Sequence, residues 1–310
     1  MIQEIRMLKK ILKIKRMLKS FQNYEERFNK IDLALGRIES RQCRTLNSKD
    51  IGDNEFKVFS QWGEDGVIRF LIDNIDIKEK TFIEFGVKNY TESNTRFLLQ
   101  NNNWRGLVID GSEENISNIK NDSIYWKHNI KAECTFITKD NINQLITKNG
   151  IHGEIGILSV DIDGNDYWIW EAIDCISPGI VICEYNSHFG DTYKVSVPYD
   201  AKFVRNTKHY SNIYYGASIS ALDFLAKKKG YSLIGSNLAG NNVFFVRDDL
   251  VSKFNVLTPE EAYKQFQFRE AKDDGGKLTF SSIEENLKII SSLDIVDVET
   301  GKFSKIKDLL

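Results

Sequence analysis

Five apolar runs in this chain end in residues able to handle protons, cations or hydroxyl groups. TFIEFG (81–86) delivers Glu84 and Gly86, and RGLVIDGS (105–112) delivers Asp110, Gly111 and Ser112. SIYWKHN (123–129) delivers His128 and Asn129, IGILSVDIDGND (155–166) delivers Asp161, Asp163 and Asp166, and GIVICEYNSH (179–188) delivers Glu184, Asn186 and His188. Collecting acids at one edge costs several kcal/mol through desolvation and repulsion unless cations or donors compensate, so the pattern points to a site. A base is needed wherever a hydroxyl acts as nucleophile, and Asp161, Glu184 and His188 are the candidates. Asp161, Asp163 and Glu184 also form an oxygen-rich set that suits Mg²⁺ or Mn²⁺ better than zinc. Asp163 and Asp166 suit equally the cap of a helix starting near Asn165.

The elements that position these residues follow from the rhythm of the chain. Strand-like runs at 81–86, 105–111, 123–129, 155–164, 179–186, 231–235 and 242–247 alternate with helical stretches near 63–75, 92–102, 112–120, 140–149, 165–174 and 217–229. Repetition of strand then helix predicts an α/β fold, a doubly wound, mostly parallel seven-stranded Rossmann-like sheet covered on both faces. Only six residues separate 231–235 from 242–247, too few for a crossover helix, so the sheet ends in an antiparallel strand. Ligands of such sheets sit beyond the carboxyl ends of the strands. Asp110 is there, 24 residues beyond Gly86, placed to accept hydrogen bonds from a ribose diol. Gly86 is followed by Val87, Lys88, Asn89 and Tyr90, without the glycines that cradle a pyrophosphate. An adenosyl ligand without phosphates fits better than a dinucleotide.

The ordered set SQWGEDGVIRFLI (60–72), FIEFGVKNYTESNT (82–95), GLVIDGSEENI (107–116), LSVDIDGNDYWIWEAI (158–173), VICEYNS (181–187) and 214–250 resembles the FkbM-type family of S-adenosylmethionine-dependent methyltransferases. The likeness covers residues 56–250 and is closest in kind to a branch associated with bacterial capsule and lipopolysaccharide gene clusters. It implies a class I methyltransferase fold with S-adenosylmethionine held by Gln61, Glu64, Glu84, Gly86, Asn94, Asp110, Gly111, Ser112 and Asn129. It also implies O-methylation of a sugar hydroxyl, nucleotide-linked or polysaccharide-linked. Tyr214, Tyr215 and Ser218 are then candidates for the acceptor pocket, and Trp168 and Trp170 for the core. Two other readings stay open: Asp161-Ile162-Asp163 as the D-x-D of a metal-dependent glycosyltransferase, and a non-catalytic scaffold.

Three segments are expected: a basic helical one (1–45), the catalytic domain (46–250), and a helical extension (251–310) packing on it. Residues 41–57 read as a polar linker. Apolar residues from Ile11 to Ile38 recur every three or four positions, as in an oligomerising coiled coil, and residues 1–20 hold seven Lys/Arg against Glu4. The basic face suits a peripheral contact with anionic lipid or with a glycosyltransferase. No nucleic-acid partner is expected, since the rest of the chain is acidic. No run is long and apolar enough to span a bilayer, and Cys43, Cys134, Cys175 and Cys183 have no metal or redox spacing, so a cytoplasmic protein with reduced thiols is expected.

Overall fold

A computed structural model describes residues 2–309; the side chains of residues 2–6, 8, 9, 11, 15, 16, 18–23 and 25 fall outside the description. Much of the basic face therefore lies outside the described residues. Helix α1 (Ile2–Leu46) is one continuous element. It leads through a short turn to α2 (Glu64–Asn74) and then to β1 (Thr81–Phe85), α3 (Arg96–Asn102), β2 (Arg105–Asp110), α4 (Glu113–Asn121), α5 (Ser123–Lys127), β3 (Ile130–Cys134), α6 (Ile142–Lys148), β4 (Gly153–Val160), α7 (Asp166–Ala172) and β5 (Ile176–Glu184). The chain continues with β6 (Val195–Ser196), α8 (Arg205–Lys208), α9 (Ile219–Lys229), β7 (Tyr231–Ser236), β8 (Asn242–Arg247), α10 (Pro259–Ala262), α11 (Ile283–Ile289), β9 (Asp294–Asp297) and β10 (Phe303–Lys305).

The main sheet has the order β3-β2-β1-β4-β5-β8-β7, with β8 antiparallel to both its neighbours and the other pairs parallel. This is the doubly wound, class I methyltransferase-like Rossmann layout. The central strands are buried along their lengths because both faces carry apolar layers, one holding Ile83, Leu158, Val181 and Trp170, the other Phe82, Val108, Ile157 and Phe244. That two-sided burial is why the runs are Ile- and Val-rich without alternation. Trp170 is core, while Trp168 is partly buried and donates through Nε1 to the Val197 carbonyl.

The third strand is displaced from where the sequence placed it. Residues 123–127 are helical because the Asp122 side chain accepts from the Ile124 N–H and caps a turn, and the strand begins only at Ile130. His128 and Asn129 thus precede β3 and lie at the amino edge of the sheet, opposite the acids, where the Asn129 carbonyl accepts from Gly106. The tail holds two helices as expected, but also β9 and β10, which join β6 in a small antiparallel sheet. Its residues Ile295 and Ile306 pack with Phe189, Val195, Phe203 and Tyr215, so the tail and the insertion after β5 share one core. The stretch from 41 to 57 is helical to Leu46. Beyond it, the buried Asp65 carboxylate gathers the N–H groups of Val58, Phe59 and Ser60.

Candidate functional site

The carboxyl ends of β1, β2, β4 and β5 open onto two adjoining cavities that share Gly86, Lys88 and Asp163. The smaller, about 160 Å³, is an apolar slot between Ile109, Phe136, Ile137, Ile162 and Phe203, with Asp110, Gly111 and Asn165 on its rim. The larger, about 310 Å³, is polar. It is lined by Gln61, Glu84, Asn94, Asp161, Glu184 and Arg205 and by Phe268, Arg269, Glu270 and Lys272 of the tail.

Local backbone explains the shape. Gly86 has φ +70°, and a Cβ there would overlap the Asp161 carbonyl oxygen, so only glycine lets the β1 and β4 loops close on each other. Lys88 and Tyr90 also adopt left-handed backbone conformations, and the turned Lys88 N–H donates to Asp110 Oδ2 at 2.8 Å. Asp110 Oδ1 accepts from the Ser112 N–H and the Asn115 side chain, leaving Oδ2 with a free lone pair toward the slot. Glu84 is encircled: its carboxylate accepts from Ser93 Oγ, Thr95 Oγ1 and the N–H groups of Asn94 and Thr95, which folds residues 86–95 around the cavity. Burial raises its pKa while these donors work against the rise. Asn94 donates to Ser159 Oγ.

Asp161, Asp166 and Glu184 offer carboxylate oxygens within 4.8 Å of one another. Asp166 is an anchor, since its two oxygens accept from the Ile162 and Gly164 N–H groups. Burial nevertheless lifts its pKa to about 6. Asp161 and Glu184 are pushed well above the carboxylate range, first by burial and then by neighbouring acids, with Arg205 opposing. Glu184 Oε1 lies 3.7 Å from Arg205, and Glu184 Oε2 is buried without a protein donor. Arg205 also binds Asp163 Oδ1 at 3.0 Å and Glu270, and its guanidinium stacks 3.4 Å from the Tyr215 ring centroid. Burial works against the Arg205 charge, but Tyr215, Glu184, Glu270 and Asp163 outweigh it and raise the pKa.

The structure brings Gln61, Glu84, Gly86, Asn94, Asp110, Gly111, Asp161, Asp163 and Glu184 to these cavities. It keeps the remaining sequence candidates away. The Glu64 carboxylate is buried on the Trp62 N–H and the side chains of Asn237 and Asn242, tying α2 to the β7–β8 hairpin. The Ser112 hydroxyl caps α4 by accepting from the Asn115 N–H. Asn129 is at the far edge of the sheet, because the preceding residues form a helix. His188 is buried, with Nδ1 on Asn186 Oδ1, Nε2 on Asn286 Nδ2 and its ring stacked on Phe266. Burial and then Arg205 hold its pKa at about 3, so a neutral, enclosed imidazole replaces the expected base. The expected metal trio also changes. Asp163 turns outward onto Arg205 with 56% of its side chain exposed, so Asp166 takes its place beside Asp161 and Glu184. A divalent cation would find only Asp161 and Glu184 Oε2 uncommitted, next to a guanidinium that already supplies counter-charge.

Tyr214 donates to the Asp294 carbonyl and Ser218 caps α9, whereas the Tyr215 hydroxyl reaches Glu270. Arg205 and Glu270 were not singled out from sequence: one sits in a four-residue helix, the other in an irregular stretch, and neither has a periodic signal.

No protein-family model matches the chain, and no curated protein matches it. Solved structures with a similar chain path include the N-terminal domain of EvdMO1 with SAH bound, at 12% identity and a TM-score of 0.41, covering 68% of this chain and 95% of that one. An S-adenosylmethionine-dependent methyltransferase from Clostridium acetobutylicum ATCC 824 is 12% identical, TM-score 0.39, covering 59% and 90%. The O-methyltransferase from Bacillus cereus in complex with SAH is 13% identical, TM-score 0.39, covering 71% and 90%. At such values the likeness fixes no residue's role.

Proposed function

We propose that this chain is an S-adenosylmethionine-dependent O-methyltransferase acting on a sugar hydroxyl, nucleotide-linked or polysaccharide-linked, as in assembly of a bacterial capsule or lipopolysaccharide. The observation that carries the reading is the pair of adjoining cavities: an apolar slot with a carboxylate on its rim, meeting at Gly86 a polar chamber lined by Asp161 and Glu184. The slot's apolar walls and volume of about 160 Å³ suit a planar base, and Asp110 Oδ2 keeps a lone pair to accept from a ribose hydroxyl. Gly86 lines both slot and chamber at the point where the β1 and β4 loops meet. The bound donor would supply an electrophilic methyl group on a sulfonium.

In the chamber the two acids divide the work. Arg205 opposes the upward pKa shift at both acids and Asp163 and Asp166 reinforce it at both, so the 3.7 Å contact between Arg205 and Glu184 is what assigns the ionised form to Glu184 and the proton to Asp161. With the donor bound, the Glu184 carboxylate would take the acceptor's hydroxyl proton while the methyl group passed from sulfonium to oxygen, the C–S electron pair staying on sulfur. Neutral Asp161 donates a hydrogen bond to the acceptor. Asn212, Asn241 and Gln61 add amide partners for further hydroxyls. No step runs through a cation, and Arg205 performs the neutralising role that Mg²⁺ or Mn²⁺ would otherwise have. Among the described residues no helix is long and apolar enough to cross a membrane, which is compatible with work at the inner membrane face.

The test is methyl transfer from labelled S-adenosylmethionine to a panel of sugar nucleotides and polysaccharide extracts, with and without EDTA. Label on a sugar in both arms is expected. Donor binding without transfer to any sugar, or consumption of a nucleotide sugar with release of nucleotide in a Mn²⁺-dependent manner, would overturn it. The latter outcome would favour the D-x-D glycosyltransferase reading.

A further inference from the structure

One face of α1 is uncovered along its described length. Taking Phe28 as position a of a heptad puts Met7, Ile14, Phe21, Phe28 and Leu35 at a and Lys10, Met17, Tyr24, Ile31 and Ile38 at d. Lys10 alone breaks this apolar seam, a regularity that single helices packed on globular domains do not need. From Tyr24 to Ile38 the seam residues are between 45% and 61% exposed.

The chain's own domain does not cover the seam. Helix α1 meets the domain through Leu33, Gly36 and Cys43, with Gly36 set against Val58 and Phe97 and the buried Ser40 hydroxyl donating back to the Gly36 carbonyl, and through the ion pairs Glu26–Lys127 and Arg44–Asp73. These residues occupy positions b, c and f, on the side away from a and d. The domain therefore fixes the helix and presents its seam outward.

We infer that the seam binds a second copy of this chain as a parallel coiled coil. Charge identifies the occupant. Flanking the seam from Tyr24 onward, the e positions are acidic (Glu25, Asp32, Glu39), and Arg27, Ala34 and Arg41 stand at g. In a parallel pair each g residue faces the e residue five positions further along the other helix, which brings Arg27 onto Asp32 of the second copy. An antiparallel pairing over the same stretch sets Glu25 against Asp32 of the other copy. Over residues 24–41 the helix is thus complementary to itself in one orientation, and that orientation places two copies of the domain side by side. Leu35 at a with Ile31 and Ile38 at d admits more than two strands.

The full-length chain is measured by sedimentation equilibrium as wild type, Leu35→Glu/Ile38→Glu, Arg27→Glu, Asp32→Arg and the Arg27→Glu/Asp32→Arg exchange. The wild type is expected at a multiple of 35.8 kDa. The seam variant should fall to the single-chain mass with the domain's thermal unfolding retained, since both side chains are exposed. Each single charge reversal should weaken association and the exchange should restore it. A wild type at single-chain mass, a seam variant with unchanged mass, or an exchange that stays dissociated overturns the inference. A single-chain mass together with flotation on phosphatidylserine-containing vesicles would assign the seam to a lipid surface instead. None of these readouts depends on methyl transfer.

Discussion

Replacing Asp161 by Asn isolates the repulsion that defines the polar chamber. Its carboxylate accepts no hydrogen bond among the described residues, so the amide loses no partner. Asp161 and Glu184 present oxygens within 4.8 Å, and at an effective dielectric near 20 the doubly ionised pair, which protonation of Asp161 avoids, would repel by ~3.5 kcal/mol. Arg205 and solvent at the cavity mouth offset part of this, leaving an expected gain of about 1–2 kcal/mol on substitution. Both carboxyls have folded pKa values raised above their unfolded ones, so the folded state holds more protons and stability falls as pH climbs from about 4 toward the raised values. The Asn variant removes one of these groups and relieves the other. Urea unfolding at pH 5 and pH 8 should show the variant gaining on the wild type with pH, reaching that 1–2 kcal/mol advantage at pH 8. Equal stabilities at both pH values, or a less stable variant at pH 8, would refute the proposed electrostatics.

Other expectations follow from named contacts. Glu184→Gln should lower methyl transfer by roughly 10²–10⁴-fold while leaving donor affinity unchanged, measured by steady-state kinetics against titration of the donor. Arg205→Met leaves Glu270 and Glu184 buried without their cation and should cost about 3–5 kcal/mol, read by chemical denaturation at pH 8. Acid should soften that loss, because protonated partners need no counter-charge. Gly86→Ala forces a Cβ onto the Asp161 carbonyl at φ +70° and should abolish donor binding, as seen by calorimetry, with a fall in melting temperature.

The sheet was legible because its central strands are buried on both faces and therefore read as unbroken apolar runs punctuated by turns. The failure at residues 123–129 has a local cause. Ile124, Tyr125 and Trp126 look strand-like, yet only Ile124 is buried and Trp126 is 76% exposed, as suits one short helical turn capped by Asp122. The true edge strand, IKAEC, buries only Ile130 and Ala132 fully and gives a weak signal. Site residues that follow directly from strand ends, such as Glu84, Asp110, Asp161 and Glu184, reach the cavities because topology alone carries them there. His188 and Glu64 did not, since their side-chain directions depend on Asn186, Asn286, Asn237 and Asn242, which adjacency in sequence does not reveal. Arg205 and Glu270 meet across 65 residues of chain, a pairing made by the tail's packing and invisible to local patterns.

The central claim is that the slot beside Asp110 holds an adenosyl donor. Isothermal titration of the full chain with S-adenosylhomocysteine, beside Asp110→Ala and a nucleoside diphosphate control, tests it most directly. A saturable isotherm that weakens by about 1–3 kcal/mol in Asp110→Ala is the result this account requires. No heat with S-adenosylhomocysteine, or equal affinity in the variant, or binding of the nucleoside diphosphate alone, would contradict it.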